Sequence, residues 1–201
     1  TEKNEMLLSS DTSTGISKSI GLGIIGFSEI YARLLPDIIV VLGDRYEILA
    51  AVIAAMIQKI QVAHIHGGEL TQGSIDDSIR HSITKMSMLH FTSTEEYRRR
   101  VIQLGEEPER VYNVGALGVE NIKNQKLLDK DELEQSIQFS LNMPYVVVTF
   151  HPTTLEDNIA RQQFENLVAA LDKFEEYYVL FTKSNADIDG RIINFLIDKY
   201  V

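Results

Sequence analysis

Gln61-Val62-Ala63-His64-Ile65-His66-Gly67-Gly68-Glu69, followed by Ile75-Asp76-Asp77-Ser78-Ile79-Arg80-His81, is the stretch on which the fold turns. Gln61–Ile65 has the length and composition of a strand, Gly67-Gly68 is a turn, and residues 75–86 carry the spacing of a helix. A strand, a glycine turn and a helix start in that order form a βα unit. In such units ligands bind beyond the C-terminal end of the strand. Between residues 63 and 81 the chain places three histidines, three carboxylates and an arginine there. Few purely structural segments need so many ionisable groups.

The same alternation extends outward. Upstream, Ile38-Ile-Val-Val-Leu42 follows Leu35-Pro36-Asp37 and reads as a strand buried on both faces. Gly43-Asp44-Arg45 turns the chain into an apolar, alanine-rich helix over 46–58, and 17–35 supplies an earlier helix. Downstream, strands are expected at Leu89–Thr92 and Arg110–Val114, with an amphipathic helix over 94–104 between them. The run β-α-β-α-β-α-β predicts a parallel, doubly wound sheet. Residues 120–143 are polar and lysine-rich and read as a linker or surface helix. After Pro144 the pattern restarts, with a strand at 145–150, the loop His151-Pro152-Thr153-Thr154, and a helix carrying Phe164, Leu167, Val168, Leu171 and Phe174. A strand at 179–181 and a helix over 191–200 follow. The expected organisation is a first α/β domain over 1–119, the linker, and the start of a second over 144–201. With no initiator methionine and a stop directly after a helix, the reading is of the middle of a longer protein.

Composition narrows the function. Of 201 residues, 44% are hydrophobic and 24% charged, which is ordinary for a globular chain. No apolar run reaches the ~18 residues of a membrane helix, and no signal peptide opens the chain. The absence of cysteine rules out disulfides and thiolate metal sites, and fits a cytoplasmic location. A net charge of −10 argues against general nucleic-acid binding. Neither a phosphate-binding G-x-x-x-x-G-K-[ST] loop nor a cysteine nucleophile is present. Gly21-Leu-Gly-Ile-Ile-Gly26 matches G-x-G-x-x-G as a string, but it lies inside a helical pattern with no strand before it, so the match reads as accidental.

Four ionisable clusters fall at strand ends: Asp44-Arg45, His66 to Glu69, Asp76 to Arg80, and His151. Asp44 is either a helix cap or a general acid or base, and Arg45 either solvated or an anion ligand. His64 and His66 are expected on one strand face, with His64 as a hydrogen-bonded core histidine. Two histidines plus Glu69 could hold zinc, yet no third ligand of adequate reach is evident, so no metal is assigned. Glu69 is the better candidate for proton transfer. Ser74-Ile-Asp-Asp77 matches a helix-capping signature and explains Asp77. Asp76 lies one turn before Arg80 and is expected to pair with it. Asp77 and His81 form a parallel structural pair, and His90 reads as a partly buried strand residue. His151, facing the expected interdomain cleft, suits proton shuttling.

Taken in order, Gly43-Asp44-Arg45, His64-Ile-His-Gly-Gly-Glu69, Ile75 to Lys85 and His151-Pro-Thr-Thr154 resemble the hydrolysing UDP-N-acetylglucosamine 2-epimerases of sialic acid biosynthesis and its bacterial relatives. The resemblance covers nearly the whole chain. It implies two Rossmann-like domains in the GT-B arrangement, both incomplete in this chain, with a UDP-sugar bound between them, no cofactor, and a homodimer. The implied reaction converts UDP-N-acetylglucosamine and water to N-acetylmannosamine and UDP, by elimination to a glycal and hydration. Carried over, Asp44, Asp76 and His151 match catalytic positions, Arg80 matches a residue that orients them, and Glu69 lies in the same glycine-turn motif. With the residue reading beside it, the expected catalytic set is Asp44, Glu69, Asp76 and His151, and the expected substrate-binding set is Arg45, His66 and Arg80. Vertebrate and non-hydrolysing relatives carry a glutamate where this chain has His66, so either Glu69 or His66 takes that role. The uridine- and phosphate-binding segments are expected outside residues 1–201. The competing readings are a non-hydrolysing 2-epimerase, a hydrolysing epimerase acting on a UDP-2,4-diacetamido-6-deoxy sugar, a GT-B glycosyltransferase, and a non-catalytic binding module. The turn His66-Gly-Gly-Glu69 counts against the first, whose turn usually reads His-Val-Glu-Ala-Gly.

Overall fold

The computed structural model describes residues 2–8, 12–152, 159–185 and 189–201. They form two compact units, residues 1–123 and 124–201.

The first unit opens with helix α1 (Ser13–Leu34), capped by the Thr12 hydroxyl, which accepts from the Gly15 amide at 3.1 Å. It ends at Leu35, in the left-handed region, just before Pro36. The Gly21–Gly26 string lies inside α1, as its sequence context predicted. Its glycines serve close packing: a Cβ on Gly23 would come within 2.9 Å of Ala50 Cβ, and one on Gly26 would strike Asn4. Asn4 in turn donates to the Gly23 carbonyl at 3.1 Å.

Strands β1 (Ile38–Leu42), β2 (Gln61–Ile65), β3 (Leu89–Thr92) and β4 (Val111–Asn113) then make one parallel sheet in the order β1-β2-β3-β4. Helices α2 (Tyr46–Ile57), α3 (Asp76–Lys85) and α4 (Glu95–Gln103) form the crossovers. Each strand pairs with the next in sequence, so all four C-terminal ends emerge along one edge: Leu42 beside Ile65, Ile65 beside Phe91, Thr92 beside Asn113. The core is Ala50, Val52, Ala54 and Ala55 of α2 against Val62 and Ala63 of β2, with Ile83 and Val101 behind. Each fully buried Val or Ile contributes roughly 1.5–3 kcal/mol of hydrophobic free energy.

The expectation that β1 is buried on both faces needs correction. Val40 is 65% exposed, with Ile38 and Leu42 also open, because β1 is an edge strand here and none of the described elements covers that face.

Short helices α5 (Leu117–Asn124) and α6 (Lys130–Ile137) follow β4, and neither has a buried residue. Asp129 and Glu132 form a reciprocal capping box on α6.

In the second unit, β5 (Tyr145–Thr149) and β6 (Tyr178–Thr182) pair in parallel, with helices α7 (Ala160–Leu171) and α8 (Gly190–Tyr200). Phe164, Ile193 and Ile197 make its core, and Phe164 meets Phe150 edge to face at 5.7 Å. Phe174, read as part of the α7 stripe, lies beyond the helix end and is exposed. The α/β class with parallel sheets stands as expected.

Candidate active site

Because the strands run parallel, Asp44, Glu69 and Ser93, which follow β1, β2 and β3, come out at the same edge of the sheet. Arg80 reaches this edge from α3. Its side chain is 8% exposed, and Nη2 donates to Asp44 Oδ2 in a close ion pair. Nη1 lies 3.9 Å from Glu69 Oε2. One buried guanidinium thus stands between two carboxylates delivered by different strands.

The expected Asp76–Arg80 pair is not formed. Asp76 is the first residue of α3, and its carboxylate turns back to accept from the Ser74 hydroxyl while its own amide donates to that oxygen at 3.1 Å. Arg80 is left to face the end of β1. Asp76 still lies near enough for its negative charge to act on Asp44. Burial raises the Asp44 pKa above the ordinary carboxylate value; the Arg80 charge opposes this and the Asp76 charge adds to it. The predicted capping box also fails: the N-cap of α3 is Ile75, without a side-chain bond. Asp77 instead accepts from the Thr71 amide at 3.2 Å and lies 3.8 Å from His81 Nε2. Asp44 does not cap α2 either, since that position belongs to Arg45.

Around Glu69 a second set of contacts closes. Its Oε1 accepts from the Ser93 hydroxyl at 2.7 Å and lies 3.0 Å from His66 Nδ1. On the other side of the ring, Nε2 accepts from the Leu117 amide at 3.4 Å. These contacts select the imidazole tautomer protonated at Nδ1. His66 has φ +66°, a conformation uncommon for non-glycine residues and often found at functional sites. It lies past the end of β2, so it does not share a strand face with His64 as the alternation rule predicted. Gly68, at φ +81°, lets the turn lie against α4: a Cβ there would stand 2.5 Å from the Tyr97 carbonyl oxygen. Its own carbonyl accepts from Arg100.

His64 is fully buried, as a core histidine should be. Its Nε2 lies 2.8 Å from the Gly43 carbonyl oxygen and its Nδ1 3.2 Å from Thr84 Oγ1. Burial pushes its pKa down to about 4, so the ring is neutral. His90, read as partly buried, is fully buried, with Nε2 3.1 Å from Glu106. Burial lowers its pKa too, against the pull of Glu106.

Arg45 lies at the start of α2, engages Glu47 at 3.1 Å and stacks over the Tyr46 ring. His151 lies two residues past the end of β5 in the second unit and is exposed; Thr153 and Thr154 fall outside the described residues. Among the described residues no group of three His, Cys, Asp or Glu could hold a metal ion. Sequence reasoning missed Ser93, although its place directly after β3 was a usable signal.

Residues 1–201 match the family described as UDP-N-acetylglucosamine 2-epimerase. The chain belongs to that family. Among curated relatives of the family, a GDP/UDP-N,N'-diacetylbacillosamine 2-epimerase (hydrolyzing) of Campylobacter jejuni is 42% identical over 200 residues, all of this chain and 52% of that protein. A polysialic acid biosynthesis protein of Escherichia coli is 46% identical over 90% of this chain and 46% of its own length. A UDP-N,N'-diacetylbacillosamine 2-epimerase (hydrolyzing) of Legionella pneumophila is 34% identical over 94% of this chain and 49% of its own. This epimerase-family chain therefore spans about half the length of those relatives. A solved UDP-GlcNAc 2-epimerase of Methanocaldococcus jannaschii, in complex with UDP-GlcNAc and UDP, superposes with TM-score 0.76 at 22% identity, covering 92% of this chain and 52% of that one. That likeness carries the fold, of the GT-B class expected from the sequence. Among the described residues no helix is long and apolar enough to cross a membrane.

Proposed function

We propose that the full-length protein is a hydrolysing 2-epimerase whose substrate is a nucleotide-linked 2,4-diacetamido-2,4,6-trideoxy sugar, UDP-N,N'-diacetylbacillosamine. The observation that carries the reaction class is the buried Arg80 held against Asp44 and near Glu69, at the strand ends where this family's motifs converge. The sugar is favoured by the relatives: the two named for diacetylbacillosamine are 42% and 34% identical, and a Neisseria meningitidis UDP-N-acetylglucosamine 2-epimerase is 31% identical. This order reverses the sequence reading, which put UDP-N-acetylglucosamine first. The names of the first two also set the hydrolysing reaction above the non-hydrolysing one.

The chemistry asks for a base to take the C2 proton while the C1–O bond breaks and its electron pair leaves with UDP. Water then adds its oxygen to C1 of the glycal, and a proton returns to C2 on the opposite face. Asp44, with its raised pKa, can hold a proton closer to neutral pH than an ordinary carboxylate. Glu69, anchored by Ser93, orients the His66 ring. Asp76 and Glu69 complete the acid–base set of the first unit. Arg80, Arg45 and His66 bind the substrate, and the two guanidinium groups counter the diphosphate charge.

The test is to give the full-length protein UDP-N,N'-diacetylbacillosamine and UDP-N-acetylglucosamine separately in deuterium oxide, with products followed by NMR. Free UDP and the 2-epimeric diacetamido sugar, deuterated at C2, are expected at the higher kcat/KM. A higher kcat/KM for UDP-N-acetylglucosamine restores the other sugar. Accumulation of an intact UDP-linked epimer removes hydrolysis.

A further inference from the structure

We propose that His64 is a positioning residue: a neutral strut whose two ring nitrogens fix the backbones of Asp44 and Arg80, so that the two side chains meet in one geometry. The inference rests on the reading of Asp44 as part of the catalytic machinery.

The contacts form a closed ring. His64 Nε2 lies 2.8 Å from the carbonyl of Gly43, the residue directly before Asp44. A carbonyl only accepts, so Nε2 carries the proton and Nδ1 is left with its lone pair. That lone pair faces Thr84 Oγ1 at 3.2 Å, and Thr84 Oγ1 is also 3.0 Å from the carbonyl of Arg80. The Thr84 hydroxyl has one proton, so it serves the Arg80 carbonyl and His64 in turn. Arg80 then closes the ring through its guanidinium on Asp44.

The centre of the ring is buried and tight. His64 and Thr84 are both fully buried. Gly67 leaves them their space, since a Cβ there would stand 3.1 Å from both His64 Nδ1 and Thr84 Oγ1. The charged or titratable groups acting on His64 are Arg80 from α3, His90 from β3 and His66 from the turn, and each disfavours a charge on the ring. A strut that keeps one protonation state holds one geometry. A mere space-filler at this position would have no need of two directed polar contacts, one to Gly43 beside Asp44 and one to Thr84, a helical turn after Arg80.

The experiment uses the full-length protein with His64→Phe, His64→Gln, Thr84→Val and Asp44→Asn, and measures kcat, KM, the pH profile and the melting temperature. Phenylalanine keeps the bulk and removes both polar contacts, whereas glutamine can place an amide N–H near the Nε2 position. Expected for His64→Phe is a kcat lower by about 10- to 100-fold, the scale on which small misplacements act, with KM little changed. The acid limb of its pH profile moves to higher pH, because Arg80 no longer lowers the Asp44 pKa as fully. Thr84→Val moves the same way by a smaller factor, and His64→Gln recovers most of the loss. Should His64→Phe fail to fold, the Thr84→Val and His64→Gln profiles decide. Lowered melting temperatures with wild-type kcat and an unmoved acid limb overturn the proposal, as does a His64→Gln protein with a kcat as low as that of His64→Phe. Wild-type turnover in Asp44→Asn marks failure of the site reading itself, a different result from failure of the strut.

Discussion

Replacing Arg80 with methionine isolates what the buried guanidinium does for Asp44. The two side chains are 8% and 18% exposed. Removing one partner of a buried ion pair leaves an uncompensated charge and costs roughly 3–5 kcal/mol. The partial exposure of Asp44 sets the cost near the lower end. Methionine also deletes the buried, unpartnered Arg80 Nε, which returns about 1 kcal/mol. The net loss at neutral pH is then about 2 kcal/mol. Its pH dependence is the sharper check. Burial already raises the Asp44 pKa, and Arg80 is the group that opposes the rise. A carboxyl whose folded pKa lies above its unfolded value favours the fold below the unfolded pKa, and that contribution is lost as pH rises through the folded pKa. Arg80→Met raises the folded pKa further. Its penalty is therefore full at neutral pH and shrinks as pH falls and Asp44 takes up its proton. Urea denaturation followed by circular dichroism at about pH 4 and pH 7 measures both values. A destabilisation equal at the two pH values would refute the claim that Arg80 acts by compensating the charge on Asp44.

Other outcomes follow from the same geometry. Asp44→Asn and Asp76→Asn should each lower turnover of the full-length enzyme by roughly a hundredfold or more, as general acid–base roles require; wild-type steady-state rates remove those roles. Gly68→Ala places a methyl 2.5 Å from the Tyr97 carbonyl at φ +81°, and should cost roughly 2–3 kcal/mol of stability in urea denaturation. His64 has a folded pKa of about 4 against an ordinary 6.5. Its neutral form stabilises the fold above pH 6.5, and roughly 3 kcal/mol of that is lost as pH falls through the folded pKa. The His64→Gln protein should show a correspondingly flatter stability profile between those values. Ser93→Ala deletes the 2.7 Å bond to Glu69 and should lower kcat by about tenfold while the circular dichroism spectrum stays unchanged.

Much of the architecture was legible because its signals are local. Ile38–Leu42, Gln61–Ile65 and Leu89–Thr92 occupy the spans expected from short runs between turn residues. Most helix ends moved by a residue or so, and the start of α1 moved from 17 back to Ser13, since capping and hydrogen bonding at the end turns, and not composition, set them. The exposed face of β1 was not legible, because an apolar run reads the same whether or not something covers it. Phe174 was misplaced because helical spacing continues on paper past the residue where α7 stops.

For the site, the sequence by itself determined which residue types stand at the strand ends: Asp44 after β1, His66 and Glu69 after β2, Arg80 in the next helix. Those positions depend only on where a strand gives way to a turn. What the tertiary structure decided was who pairs with whom. Spacing along one helix assigned Arg80 to Asp76, four residues away, whereas in the fold it meets Asp44, 36 residues away. Ser93 reached Glu69, and His64 linked Gly43 to Thr84, for the same reason. Parallel pairing sets neighbouring strands in register and delivers their ends to one edge, so partners there are chosen by distance in space and by the loss of water, neither of which is written in the separation along the chain.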